Sequence, residues 1–257
     1  MRTLGIDLAS DPKKTAYCVL EWAGGTAEVR QLCVGEAGGP LADDECLFEL
    51  YRHADATGID CPFGWPTAFV AFLCSTSRPT GELLPAWSDV HRDELRFRAT
   101  DVRVHKVTGR WPLSVSSGLI GVPAFRCQGL LTRMRVVDRS GDGRVYEVYP
   151  AAALERWGFP STGYKKGKGT LQRKELVRHL QKKARWLHLS DDQRRMVVGS
   201  DDALDALIAA LNARAARLGL TLKPEPHEQR DAIREGWIAV PEKDSLENLL
   251  GPGVPAP

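Results

Sequence analysis

Long hydrophobic runs are missing from this 257-residue chain. No window approaches the ~18 uncharged apolar residues that a membrane-spanning helix needs. The opening M-R-T-L-G-I-D-L-A-S has no apolar stretch of the kind that marks a secretory leader. Cysteine is scarce and unpatterned. Cys18, Cys33, Cys46, Cys61, Cys74 and Cys127 form no C-x-x-C pair and stand at no metal-ligand spacing from a histidine, so neither a zinc centre nor a disulfide framework is expected. Scattered reduced thiols suit a cytoplasmic protein. Strong charge of one sign is also lacking. Thirty-five Lys and Arg against 33 Asp and Glu leave +2 at pH 7, so any nucleic-acid contact must come from a local basic patch. The 6 histidines have no motif context, no Ser–His–Asp arrangement is present, and no internal repeat is found.

What remains is an ordinary globular composition, 43% hydrophobic and 26% charged, enough to build a core without staples. The length suits one elaborated domain over residues 1–250. Residues 3–9, 16–22 and 27–32 read as three short strands, with Gly24-Gly25 as a hairpin turn, so the chain opens as an antiparallel meander. Asp43-Asp44 caps a helix through Tyr51. Residues 56–60 form a strand that Pro62 and Pro66 stop. Residues 75–120, rich in Pro, Gly, Ser and Arg, read as a long irregular insert. A helix over 125–137, a strand over 144–149, a basic amphipathic helix over 171–187 and a helix over 201–218 follow, and G-P-G-V-P-A-P at 251–257 reads as a disordered tail. Strands and helices in this order predict an α/β chain with a mixed five-stranded sheet, which a ribonuclease H-like fold requires.

Five carboxylates stand out within these elements. Asp7 interrupts the apolar strand T-L-G-I-D-L-A, where an unpaired buried charge is costly. Asp60 ends the strand G-I-D, and a turn-forming aspartate accounts for it equally well. Glu147 interrupts V-Y-E-V-Y, with alternation placing it on the face of Val145 and Tyr149. Asp202 and Asp205 lie at i and i+3 on a helix that is apolar almost all round. The helix dipole explains Asp201 and Asp202, but not Asp205, one turn further in. Clustered carboxylates persist together mainly when a hard cation neutralises them, and an oxygen-only donor set suits Mg2+ or Mn2+. Such ions activate water and stabilise the leaving oxygen in phosphodiester cleavage.

Six segments in this order resemble a known family: G-I-D-L-A at the start, I-D-C-P-F-G-W-P, R-A-T-D at 98–101, Y-E-V-Y-P, S-D-D-A-L-D-A-L-I-A-A-L and E-G-W-I-A-V-P. Together they are similar to the bacterial and archaeal domain of unknown function number 429, grouped with predicted nucleases of the ribonuclease H-like superfamily. The resemblance implies that Asp7, Asp60 and Glu147 are metal ligands from successive strands. D-A-L-D-A-L is similar to the final-helix motif of Holliday-junction resolvases, which implies that Asp202 and Asp205 both face the metal. Arg98, Thr100 and Asp101 match the family's internal motif and are candidate substrate contacts.

A second basic and flexible stretch, Gly163–Gly169, places Lys165, Lys166 and Lys168 to follow a phosphate backbone and Tyr164 to stack on a base. The same residues also read as a solvated helix approach. Three functions are therefore weighed. A metal-dependent nuclease acting on DNA or RNA comes first, with Asp7→Asn and Glu147→Gln expected to abolish cleavage while leaving the fold intact. An actin-like nucleotide-hydrolysing or phosphotransfer enzyme comes second, because its first strand reads similarly, but that group carries two copies of the fold. A non-catalytic nucleic-acid-binding or scaffold protein comes third. Oligomeric state is not legible.

Overall fold

The structure, a computed structural model, describes residues 1–35, 41–76, 92–141 and 143–251. Within these the chain runs β1 (Arg2–Asp7), β2 (Ala16–Ala23), β3 (Thr26–Val34), α1 (Asp44–Arg52), β4 (Ala56–Asp60), α2 (Thr67–Thr76), α3 (Arg92–Arg96), α4 (Ala99–Thr108), α5 (Gly121–Arg133), β5 (Val145–Glu147), α6 (Pro150–Arg156), α7 (Thr170–Lys183), β6 (Leu187–His188), α8 (Asp191–Gly199), α9 (Asp201–Arg217) and α10 (Gln229–Glu235). The sheet order is β5-β4-β1-β2-β3-β6. Strands β1, β2 and β3 form the expected antiparallel meander, and β4 and β5 add in parallel on the other side of β1. This is the ribonuclease H-like mixed sheet that the element order predicts.

The sheet has six strands rather than five. The sixth, β6, is only 2 residues long and pairs in parallel with Ala27 and Glu28. Two residues carry no alternation to read, so they merge into the end of the preceding helix when the sequence is taken alone. The segment 75–120 also differs from expectation. Residues 77–91, with Trp87, lie outside the described residues, but 92–108 holds α3 and α4 rather than irregular chain. Short helices capped by charged residues look like loop to a hydrophobicity pattern. Residues 252–257, most of the expected tail, lie outside the described residues. Among the described residues no helix is long and apolar enough to cross a membrane.

Alternation divides the core between the two faces of the sheet. Leu4, Ile6, Val19, Ile59 and Val145 point to one face and pack against Leu47 of α1 and Leu130 of α5. Cys18, Leu20 and Val29 point to the other and meet Leu176 and Leu180 of α7 and Leu204, Leu207 and Leu211 of α9. Helix α9 is the central one, with 13 of its 17 residues buried. It lies against β1 and β4 where they carry glycine instead of a side chain. A Cβ on Gly5 would overlap the Ala206 carbonyl and the Ala210 amide, and one on Gly58 would come within 2.6 Å of the Ala209 carbonyl. Small residues on both partners let the helix axis approach the sheet closely, and that approach positions the site.

Candidate active site

Asp7 and Asp60 are the last residues of two adjacent parallel strands and stand directly opposite each other in register. Both follow a glycine by two residues, so alternation turns both toward α9. Helix α9 starts at Ser200, whose hydroxyl accepts the Ala203 amide, and this cap sets where the first turn begins. Asp202 then falls at its rim and Asp205 one turn in, fully buried over the strand ends.

The four carboxylates share a field. Burial, then Asp205 and Asp60, push the Asp7 carboxyl well above its ordinary range, with Asp202 adding to the rise. Burial raises Asp60 to about 7, opposed by Lys165 and reinforced by Asp205. Asp205 and Asp202 are raised as well, chiefly by burial. Among the described residues Lys165 is the main cation that answers them, with Arg173 also acting on Asp202. The Lys165 ammonium contacts Asp205 Oδ2. Burial works against its charge, but Asp205, Asp60 and Asp7 outweigh that and hold its pKa above the usual value. Asp205 Oδ1 accepts the Tyr164 hydroxyl at 2.9 Å, so both its oxygens have partners.

The loop that brings Tyr164 and Lys165 here is fixed by Arg173. Its guanidinium donates to the carbonyls of Tyr164 (2.6 Å) and Lys166 (2.8 Å), and to those of Val198 (2.8 Å) and Gly199 (3.0 Å). Arg173 reads as part of a basic solvated face in the sequence, yet it is buried. Its spacing from Leu176, Val177 and Leu180 was the available signal, because those positions put it on the buried stripe of α7. Tyr164 is buried too, with its ring in the α7–α9 core, so it does not offer a face for base stacking. Lys166 and Lys168 remain exposed.

Glu147 stands apart from the carboxylate cluster in the sheet, although its charge still adds to the rise at Asp60. It is the register partner of Ile59, not of Asp60, and so turns to the opposite face of the sheet. There Arg98 holds it at two points, 2.7 and 2.9 Å. Arg98 also reaches both oxygens of Asp101 (2.9 and 3.1 Å) and the Glu235 carbonyl (3.1 Å), so all five of its donors are used. The Phe63 amide completes Glu147 at 2.9 Å. Thr100 accepts the Ile238 amide at 2.8 Å. Thr100 and Asp101 thus serve the chain itself and are fully buried, while Arg98, also buried, borders a cleft. The same network includes Glu235, which sequence reasoning missed. Its carboxylate accepts the first amides of two helices, Thr67 of α2 (2.6 Å) and Ala99 of α4 (2.9 Å). Gly236 follows it at φ +93°, where a Cβ would strike Glu147 Oε2. The segment E-G-W-I-A-V-P therefore closes the Glu147 network.

The profile of the family described as "Protein of unknown function (DUF429)" matches residues 5–229. The chain belongs to this family. The match covers β1 through the start of α10, and so includes all four clustered carboxylates, Glu147 and the Lys165 loop. No curated protein matches the chain. Among solved structures it is similar to the chain titled "Thermus thermophilus RuvC structure", with 10% identity, a TM-score of 0.32, and coverage of 85% of this chain and 97% of that one. For this DUF429 member, the strand order and register themselves carry the fold assignment.

Among the described residues, no three His, Cys, Asp or Glu side chains are already spaced as a metal cage. The Lys165 ammonium instead pairs with Asp205 and feels the charges of Asp60 and Asp7, its side chain being 49% exposed.

Proposed function

We propose that this DUF429 protein hydrolyses phosphodiester bonds in nucleic acid, using a magnesium or manganese ion held by Asp7, Asp60 and Asp205, with Asp202 at the rim. What supports the reading is the convergence of these carboxylates at the ends of β1 and β4, where Lys165 is the main neutralising cation among the described residues. The residues fit a hard cation: every donor is a carboxylate oxygen, and an ammonium already stands among them as a positive stand-in. When bound, the ion would supply charge neutralisation and an activated water.

The chain's own groups have separate tasks. Asp7 and Asp60, fixed by strand register, hold the two sides of the site. The Tyr164 hydroxyl keeps Asp205 in one orientation. Lys165, half exposed on a long stem, turns from Asp205 toward the phosphate as the carboxylates are neutralised. It thereby moves its charge to where negative charge builds up in the reaction. Glu147 and Arg98 act as a rigid wall beside the site rather than as ligands.

One observation favours a second reading. If Lys165 is a permanent counter-ion, the cluster is closed to metal and the protein is a non-catalytic binder. Calorimetric titration with Mn2+, alongside cleavage assays on labelled DNA and RNA, separates the two. The nuclease reading expects Mn2+ binding and cleavage that Asp7→Asn and Asp205→Asn remove together. A wild-type chain that neither binds Mn2+ nor cleaves would sink it.

A further inference from the structure

A cleft of about 410 Å³ has Asp60 in its lining. It lies within the range of about 300–1,000 Å³ typical of small-ligand sites. Its chemistry is divided. Pro112, Leu113, Ile120 and Ile238 supply apolar lining, and Asp60, Arg110, Tyr149 and Lys165 supply polar lining together with Arg98 and Glu147, which are paired with each other. Arg110 is held in place by Ser161, donating to its carbonyl at 3.2 Å and its hydroxyl at 3.0 Å. Ser161 in turn donates to Glu155 at 2.6 Å. No carboxylate among the described residues lies within ion-pair distance of Arg110, so its charge faces the cleft uncompensated. Tyr149, which lines the same cleft, has its hydroxyl pKa raised chiefly by burial and by Asp60, with Arg110 and Lys165 acting the other way.

A cleft that joins apolar side chains to Arg110 and Lys165, with Asp60 in its wall, matches one ligand chemistry. We infer that the cleft receives a single unpaired nucleotide, its base in the apolar part and its phosphate between Arg110 and Lys165. A base still paired and stacked in a duplex cannot enter a cleft of this size, whereas an extruded or strand-end base enters a snug pocket and packs on apolar and aromatic walls. This rests on the nuclease reading only for why a phosphate should come to Asp60. The pocket itself is tested without catalysis.

The test is fluorescence anisotropy in EDTA, using a labelled single strand, the matching blunt duplex, and the duplex with one unpaired nucleotide. Free mononucleotide is the competitor. The single strand and the unpaired-nucleotide duplex are expected to bind at least about ten-fold more tightly than the blunt duplex. Arg110→Ala and Leu113→Trp, which fills the apolar part, should each erase that preference, and Leu113→Trp leaves every hydrogen bond of the site in place. Competition by mononucleotide identifies a free nucleotide as the source of the ligand; preference without competition identifies a strand within a polymer. Equal affinity for all three labelled ligands, or a preference unmoved by both variants, overturns the inference. Pocket binding without cleavage in Mn2+ would overturn the nuclease reading and leave this one standing.

Discussion

At the scale of single residues, the sharpest consequences concern protons and buried charge. Asp60 rises from 3.8 to about 7 in the folded chain. Between those values the native state holds a proton that the unfolded state has released, so stability falls as pH rises through that window and levels off above it. Metal-free protein is therefore expected to be more stable at pH 5 than at pH 8. Asp60→Asn should remove part of the difference, gaining on the order of 2 kcal/mol at pH 8, while the raised Asp7, Asp202 and Asp205 carry the rest. Urea titrations at the two pH values, in EDTA, check both statements. Arg98 leads to the opposite sign. Among the described residues it is the one guanidinium paired with both buried Glu147 and Asp101. Arg98→Ala should cost about 3–5 kcal/mol by leaving two carboxylates unanswered. Glu147→Gln should also destabilise, so any loss of activity would follow loss of folded protein rather than of a metal ligand. A Glu147→Gln chain that stays as stable as wild type but cannot bind Mn2+ would return Glu147 to the ligand set. The expectation of an intact fold in that variant takes no account of Arg98, because a separation of 49 positions along the chain hides the contact.

At the scale of elements, the site depends on how closely α9 approaches β1 and β4. Gly5 is the contact point, and its missing Cβ is what makes room for the Ala206–Ala210 backbone. Gly5→Ala must push the helix outward. The expected cost is about 1–3 kcal/mol from overpacking, with a larger fractional loss of Mn2+ affinity than of stability, because Asp205 retreats from Asp7. Calorimetry and urea denaturation on the same variant measure both. Gly58→Ala should behave similarly but more mildly, since one of its contacts is a side chain that can shift. Element boundaries in this region were well expressed in the sequence: residues 56–60 and the start of α9 at Asp201 are found as read. The reason is local. Alternation, a serine cap and two prolines are short-range signals. The 2-residue β6 and the helices α3 and α4 were not read, since each is held by partners distant in the chain.

At the scale of the whole molecule, the carboxylate cluster ties β1, β4 and α9, the elements around which both cores are built. An ion bound there would clamp the fold as well as the chemistry. At about 100-fold excess over its dissociation constant it adds ~2.7 kcal/mol by mass action, and a domain of this size gains roughly 2–4 °C per kcal/mol. Thermal unfolding should therefore shift upward by several degrees with Mn2+. Asp7→Asn should abolish the shift, and an equal shift in that variant would place the ion elsewhere.

The sequence by itself determined the sheet's meander, the two strand-end aspartates and the buried helix that carries Asp202 and Asp205. Periodicity and turn chemistry act over a few residues, and those features need nothing more. Only the tertiary structure decided which of the five carboxylates meet. Strand register turned Asp7 and Asp60 to one face and Glu147 to the other. The buried Arg173 clamp brought Lys165 into the cluster from a loop that reads as solvated. A side chain's face is set by pairing across the sheet, and a charge's role by what it meets in space.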